Sequence, residues 1–247
     1  MFEVGGVFCV RQDLILTNRS RMSLHCSHCT PASRKTGNAA CKGHTVVYLH
    51  GNSGRRLEGD ELADQYLRKG MSFFSVDFGG CGNSDGGLVT LGFREREDVE
   101  VVLDYQCQHD AVSNVCVYGR SMGAATALLV AADDRYYHKI AGLVLDSCYV
   151  SVREVALAMA CKYTGQIPLI SAESVPGNAV NALRESVEAT AGFDLDTIDV
   201  LAAAPLCQAR LYICIYIYTY IYIHIHVYTY IDVYLYIYVN IHTYMYI

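Results

Sequence analysis

A strand, a sharp turn and a helix follow one another with no residue to spare between Val115 and Val130. Val115-Cys116-Val117-Tyr118 is an apolar, β-rich run, Gly119-Arg120-Ser121-Met122-Gly123 is the turn, and Ala124 to Val130 is rich in helix formers. A turn this tight needs glycine wherever a β-carbon would strike the neighbouring strand or helix, and Gly119 and Gly123 stand at those positions. Ser121 is then held in a strained conformation at a helix N-terminus, where developing negative charge is favoured. That is the setting of a nucleophile elbow. The five-letter pattern also fits a glycine-rich turn with a capping serine, so the flanking segments carry the decision.

Those segments alternate. Thr45–Leu49 is a buried-strand run that ends in His50-Gly51-Asn52-Ser53-Gly54. Leu57, Leu62, Ala63, Tyr66 and Leu67 fall at helical spacing, and Gly70 closes that helix. Ser72–Phe78 is a second strand, followed by the glycine-rich loop Gly79–Gly87 and an amphipathic helix over Arg94–Tyr105. After the elbow, Ile140–Leu145 is a further strand, ending at Asp146. Strands alternating with helices predict an α/β fold: a mainly parallel sheet with right-handed crossovers and helices on both faces. Functional loops then gather at the carboxyl ends of the strands. The His50-Gly51-Asn52 turn, the Asp77–Gly87 loop, Ser121 and Asp146 are expected on that one edge.

Three segments flank or interrupt this core, which spans 44–210. Residues 1–43 lead into it, with two short strands expected at Phe2–Val10 and Leu14–Leu16 and a polar loop or edge over Asn18–Cys41. Residues 151–205 read as helical, over Val155–Ala160, Val180–Val187 and Ile198–Ala203, with Pro168 interrupting. That excursion is either a lid over the site or ordinary crossover packing. From 211 to 247 tyrosine alternates with Ile, Val, Thr and Leu, with no Gly or Pro to make a turn. Natural strands run about 3–10 residues before turning. The tail therefore reads as translated simple repeat, a low-complexity segment; the other readings are an aggregation-prone β segment or a membrane span. Its many tyrosines argue against a span, because Tyr prefers the membrane interface to the hydrocarbon centre.

A chain of 247 residues fits one α/β domain, and a net charge of −6 leaves no basic stripe for nucleic acid. The 11 cysteines are irregularly spaced. Cys26-x-x-Cys29 is the only close pair before the tail, and a zinc site would have to recruit Cys41 or His44. The expectation is no metal and no cofactor. An odd cysteine count and the lack of a basic, then apolar, leader at Met1–Val10 point to the reducing cytoplasm. No feature of the sequence specifies an oligomeric state.

A serine hydroxyl attacks poorly until a base takes its proton, and the resulting oxyanion needs preorganised donors. The backbone N–H groups of Met122, next after Ser121, and of Asn52, in the His-Gly-Asn turn, are the candidate donors. The joint occurrence of His-Gly after an early strand and Gly-x-Ser-x-Gly after a later one is far more specific than either motif alone.

The chain resembles the α/β-hydrolase superfamily, and within it the serine-aminopeptidase-like esterase/lipase group, over about residues 26–210. The resemblance lies in Val47-Tyr48-Leu49-His50-Gly51-Asn52-Ser53, Asp77 to Gly86, Gly119 to Ala127, and Gly142-Leu143-Val144-Leu145-Asp146-Ser147. It implies a serine hydrolase acting on ester, thioester or amide bonds of a small-molecule or peptide acyl substrate through an acyl-enzyme on Ser121, with Asn52 and Met122 as oxyanion donors. The family also implies an acid after a further strand and a histidine after the last one. Here the resemblance stops near Arg210, so the expectation is a C-terminally truncated hydrolase whose turnover is crippled. Asp232 and His242 fall in the order Ser, Asp, His, but no turn aims either side chain. Asp146 is a possible acid, or a cap for the segment after it. His50 belongs to the loop architecture, and His109 and His138 lie in connections to the opposite edge. Two other readings remain. One is a non-catalytic binding relic, or a truncated gene product, on a hydrolase fold. The other is a dinucleotide-binding enzyme, from Gly80-x-Gly82-x-x-x-Gly86 after a strand.

Overall fold

A computed structural model describes residues 1–34, 36–37, 43–110, 112–155, 177–207, 209–216 and 233–238. Its strands are β1 (Phe2–Val4), β2 (Val7–Thr17), β3 (Ser23–Pro31), β4 (Gly43–Leu49), β5 (Ser72–Val76), β6 (Val112–Arg120), β7 (Ile140–Asp146), β8 (Arg210–Tyr216) and β9 (Val233–Tyr238). Among the described residues the helices of eight residues or more are α1 (Asp60–Leu67), α2 (Glu95–Gln108), α3 (Met122–Ala131) and α4 (Gly177–Ala191). The described strands form one sheet in the order β1-β2-β3-β5-β4-β6-β7-β8-β9. From β5 to β9 all pairs are parallel, while β1, β2 and β3 join antiparallel on the β5 side.

The parallel strands carry unbroken apolar runs because both sheet faces are covered. Val47 and Leu49 of β4, with Phe74, Val76, Val117, Leu143 and Leu145, pack under α2 and α3. Val46 and Tyr48, with Phe73, pack on the other face against Ala63 and Leu67 of α1. Alternate residues of one strand thus feed two cores, as a pleat requires. The α/β architecture expected from the sequence is the one found. Among the described residues no helix is long and apolar enough to cross a membrane.

Three regions differ from the sequence reading. β2 is one strand of 11 residues rather than two short ones, and it turns back on β1 through Gly5 and Gly6. The polar stretch expected as loop contains β3, which pairs with β2 and β5. Its buried apolar residues are Leu24, Cys26 and Cys29, cysteine serving as a small hydrophobe. Cys26 lies in one core and Cys29 in the other, so the two thiols face away from each other. Burial pushes them up, to about 12 and about 11 respectively. Finally, two parallel strands, β8 and β9, follow β7 where the repeat tail was read. A period-two sequence is compatible with a pleated strand. Asp232, His242 and Pro168 lie outside the described residues.

α4 settles on the main core through Leu183, Val187 and Ala191. The Arg94 guanidinium donates to the Ala191 carbonyl at 2.7 Å, and Phe93 stacks on Phe193 at 4.6 Å. The α4 part of the helical excursion is therefore packed against the body of the domain.

His28 of β3 is a cost carried inside this core. Its ring meets Phe74, Tyr105 and His109 edge-on at 5.5, 6.4 and 5.1 Å. Its Nε2 is buried without a hydrogen-bond partner among the described residues. Desolvation, with a smaller contribution from His109, pushes its pKa from 6.5 to about 4. The folded state accepts only the neutral ring. The stability it leaves intact above pH 6.5 is therefore lost as pH falls toward 4, by about 3 kcal/mol. His28→Phe is expected to raise stability at pH 7 by about 1 kcal/mol, by removing an unpaired polar atom. It should also flatten the acid limb between those pH values. Urea midpoints at pH 7 and pH 4.5 check both effects.

Candidate active site

The β6–α3 turn holds Ser121 at φ 51° and ψ −110°, a region that non-glycine residues rarely enter. Such a conformation costs about 1–3 kcal/mol and persists only when its surroundings over-determine it. Here they do. The Ser121 N–H donates to the Asp146 carbonyl at 2.8 Å, and the Ser121 carbonyl accepts from Ala125 N–H at 3.0 Å. A β-carbon on Gly119 would strike the Gly123 carbonyl, and one on Gly123 would strike the Leu49 carbonyl at the end of β4. Helix α3 can therefore start directly against two strands. The alternative role of a helix-capping serine is not taken: the Ser121 side chain makes no capping hydrogen bond. Among the described residues its half-buried hydroxyl has no hydrogen-bond partner. It stands at the N-terminus of a ten-residue helix whose first N–H groups lack intrahelical acceptors.

The turn after β4 faces it. A β-carbon on Gly51 would stand 3.6 Å from the Ser121 β-carbon and 3.5 Å from the Arg120 carbonyl, so the two turns run close together. Gly54 N–H donates to the Gly51 carbonyl at 3.0 Å and Ser53 has φ 62°, which closes a tight turn with exposed Asn52 at its first central position. In such a turn the amide of that position is not used by the turn itself. Met122, fully buried, supplies the first amide of α3.

His50 is buried completely and both its nitrogens are engaged. Nε2 accepts from Phe78 N–H at 3.1 Å, so the ring proton sits on Nδ1 and is donated to the Gly51 carbonyl at 2.7 Å. Burial pushes its pKa down, against the opposing pull of the Gly51 carbonyl. It is a neutral structural latch, as its place in the loop implied.

Asp146 ends β7 beside the serine. Its carboxylate is buried and accepts from Ser147 Oγ at 2.8 Å and Tyr118 Oη at 3.4 Å, with Arg120 Nε at 4.0 Å. These partners tie it to its own turn and to β6. The other described histidines lie elsewhere. His44 lies with Ser113 and Asn114, near the starts of β4 and β6. His109 and His138 precede β6 and β7, at the opposite edge from Ser121. His25 belongs to β3, three sheet positions from β6 and so about 14 Å away at ordinary strand spacing.

The carboxyl edge also carries residues that the motifs did not single out. Asp77, 1% exposed, accepts from Arg56 N–H at 2.6 Å, from Asn83 N–H at 3.1 Å and from the Arg56 guanidinium. Glu95 accepts from Thr90 N–H, Thr90 Oγ1 and Gly92 N–H. Asp98 accepts from Asn18 and from Gly79 N–H, and desolvation lifts it to about 6. Their only sequence signal was acidic residues beside a glycine-rich loop. They correct the dinucleotide reading. Amides that a phosphate would use are bonded internally, Gly79 to Asp98, Gly80 to the Asp85 carbonyl and Asn83 to Asp77. Nor does α2 open from the loop; it begins at Glu95.

A mixed sheet with a parallel core, helices on both faces and a strained serine between strand and helix defines the α/β-hydrolase fold. The chain belongs to the serine aminopeptidase, S33 family, whose profile matches residues 41–211. Acetyl xylan esterase from Paenibacillus superposes with a TM-score of 0.62 at 19% identity, over 85% of this chain and 69% of that one. An esterase of Pyrococcus furiosus gives a TM-score of 0.60 at 19% identity, over 83% of this chain and 70% of that one. Protein bem46 of Schizosaccharomyces pombe is 28% identical over 116 residues, which is 45% of this chain and 37% of bem46. The chain thus matches little more than a third of that curated relative.

Proposed function

We propose that this chain is a serine hydrolase that cleaves an ester, thioester or amide of a small-molecule or peptide acyl substrate. Ser121 Oγ attacks the carbonyl carbon and loses its proton to solvent water, the oxyanion is stabilised by the N–H groups of Asn52 and Met122, and the leaving group departs with a proton taken from solvent to give an acyl-enzyme that water hydrolyses. One observation carries the reading. Ser121 is held in a strained conformation without a capping bond, while the Gly51 turn lies against it. A serine kept only to cap a helix needs neither feature. The cysteines suit a reducing compartment, and the cytoplasm is the location this reading implies.

Turnover by this chain is proposed to be slow. No described histidine is placed to take the Ser121 proton, and the Asp146 carboxylate is engaged with Ser147, Tyr118 and Arg120. In a well-studied serine protease, loss of the histidine alone costs about 10⁶-fold in turnover. Hydrolysis of a p-nitrophenyl ester by the purified chain is the test. The expected result is a low rate that falls further in Ser121→Ala. A rate indistinguishable from that of Ser121→Ala in folded protein would favour a non-catalytic binding role on the same fold.

A further inference from the structure

We propose that Asp77 is a positioning residue for the oxyanion site, fixing the turn that carries Asn52 by clamping it to the loop after β5. The inference rests on the hydrolase reading above. The turn Gly51–Gly54 has little to hold it in place. Asn52 and Ser53 are exposed, Ser53 sits at φ 62°, and one backbone hydrogen bond closes the turn. Its geometry must be imposed from its flanks, and both flanks are anchored to one neighbouring loop.

On the near side, the His50 imidazole accepts from Phe78 N–H at 3.1 Å while donating to the Gly51 carbonyl. On the far side, Arg56 reaches the Asp77 carboxylate twice, through its backbone N–H at 2.6 Å and through its guanidinium. Asp77 is itself held from the other direction. Asn83 N–H donates to its carboxylate at 3.1 Å, and Ser84 Oγ donates to its backbone carbonyl at 2.6 Å. Gly82 lies so close that any β-carbon there would overlap the Asp77 carboxylate. A fully buried carboxylate thus takes donors from the loop after β4 and from the loop after β5. Arg56 also donates to Ser27 Oγ of β3 at 3.1 Å, which fixes the guanidinium. The arrangement joins the oxyanion turn to the rigid sheet by a charge-assisted contact on one side and a neutral one on the other. Asp77 touches no substrate atom in this account; it acts through the position of the Asn52 amide.

The test uses the full chain, a fluorophosphonate probe and amide hydrogen exchange. Asp77→Asn keeps the shape and removes the charge. Arg56→Met removes the guanidinium, and Arg56→Lys keeps a cation and the backbone donor. Removing one oxyanion donor costs about 10²–10³-fold where it has been measured. Displacing one is expected to lower the maximal labelling rate at Ser121 at least about 10-fold in Asp77→Asn and Arg56→Met. The half-saturating probe concentration should stay unchanged, and Arg56→Lys should recover part of the rate. The amides of residues 51–54 should exchange faster, while those of α3 keep their protection. A merely structural role would lower the labelled fraction with unfolding and leave the rate constant of the folded fraction alone. Wild-type exchange in the turn of both loss variants, or faster exchange with an unchanged labelling rate, would overturn the proposal. If the wild-type chain takes no probe, the hydrolase reading fails, and turn exchange by itself decides whether the clamp exists.

Discussion

Gly123→Ala is expected to destabilise the chain by about 3 kcal/mol or more, at the upper end of what overpacking a tight interior costs. Ala is the better helix former by about 1 kcal/mol, so propensity alone predicts the opposite sign. Geometry decides. The new methyl would overlap the Leu49 carbonyl and lie 2.8 Å from the His50 carbonyl oxygen, both backbone atoms at the end of a central strand. Neither can swing aside as a flexible side chain would. Relief requires α3 to lift off β4 or the His50–Gly51 backbone to move. Gly87→Ala is the control: the β-carbon it adds would meet nothing within 4 Å, and it should change stability by less than about 0.5 kcal/mol. Urea unfolding of the two variants against the parent measures the difference.

Ser121→Gly is expected to abolish labelling by a fluorophosphonate and to raise stability by about 1 kcal/mol. The first effect follows from removing the hydroxyl. The second follows from φ 51° and ψ −110°, which glycine adopts freely. Relief of about 1–3 kcal/mol of backbone strain exceeds the 0.5–1 kcal/mol that glycine's extra freedom gives the unfolded chain. Ser121→Ala should lose labelling without that gain, because its β-carbon keeps the strain. If Ser121→Gly is instead less stable than the parent, the strain assigned to this turn is not stored there.

The parallel core was legible because Thr45–Leu49, Ser72–Phe78 and Ile140–Leu145 are unbroken apolar runs separated by helical patterns. The turn at Ser121 was legible because only glycine fits at 119 and 123. β3 was not, because its buried positions are filled by Cys26, Ser27, His28 and Cys29 beside Leu24, a mixture that hydropathy does not mark as a strand. The Arg56–Asp77 contact was hidden for a different reason. Its partners are 21 residues apart, and the crowding of Asp77 by Gly82 exists only once the two loops share an edge. Asp146 shows a further limit. Its place at the end of a strand was readable, but its engagement with Tyr118 depends on the β6–β7 register. In the tail, alternation that read as repeat coincides with strand pairing at Arg210–Tyr216 and Val233–Tyr238.

The role proposed for Ser121 is that of a nucleophile. Intact-mass and peptide mapping of the folded chain after exposure to a fluorophosphonate tests it most directly. The expected result is a single adduct on Ser121, formed slowly and absent from Ser121→Gly. Folded protein that remains unmodified, or carries its adduct on another residue, would contradict it.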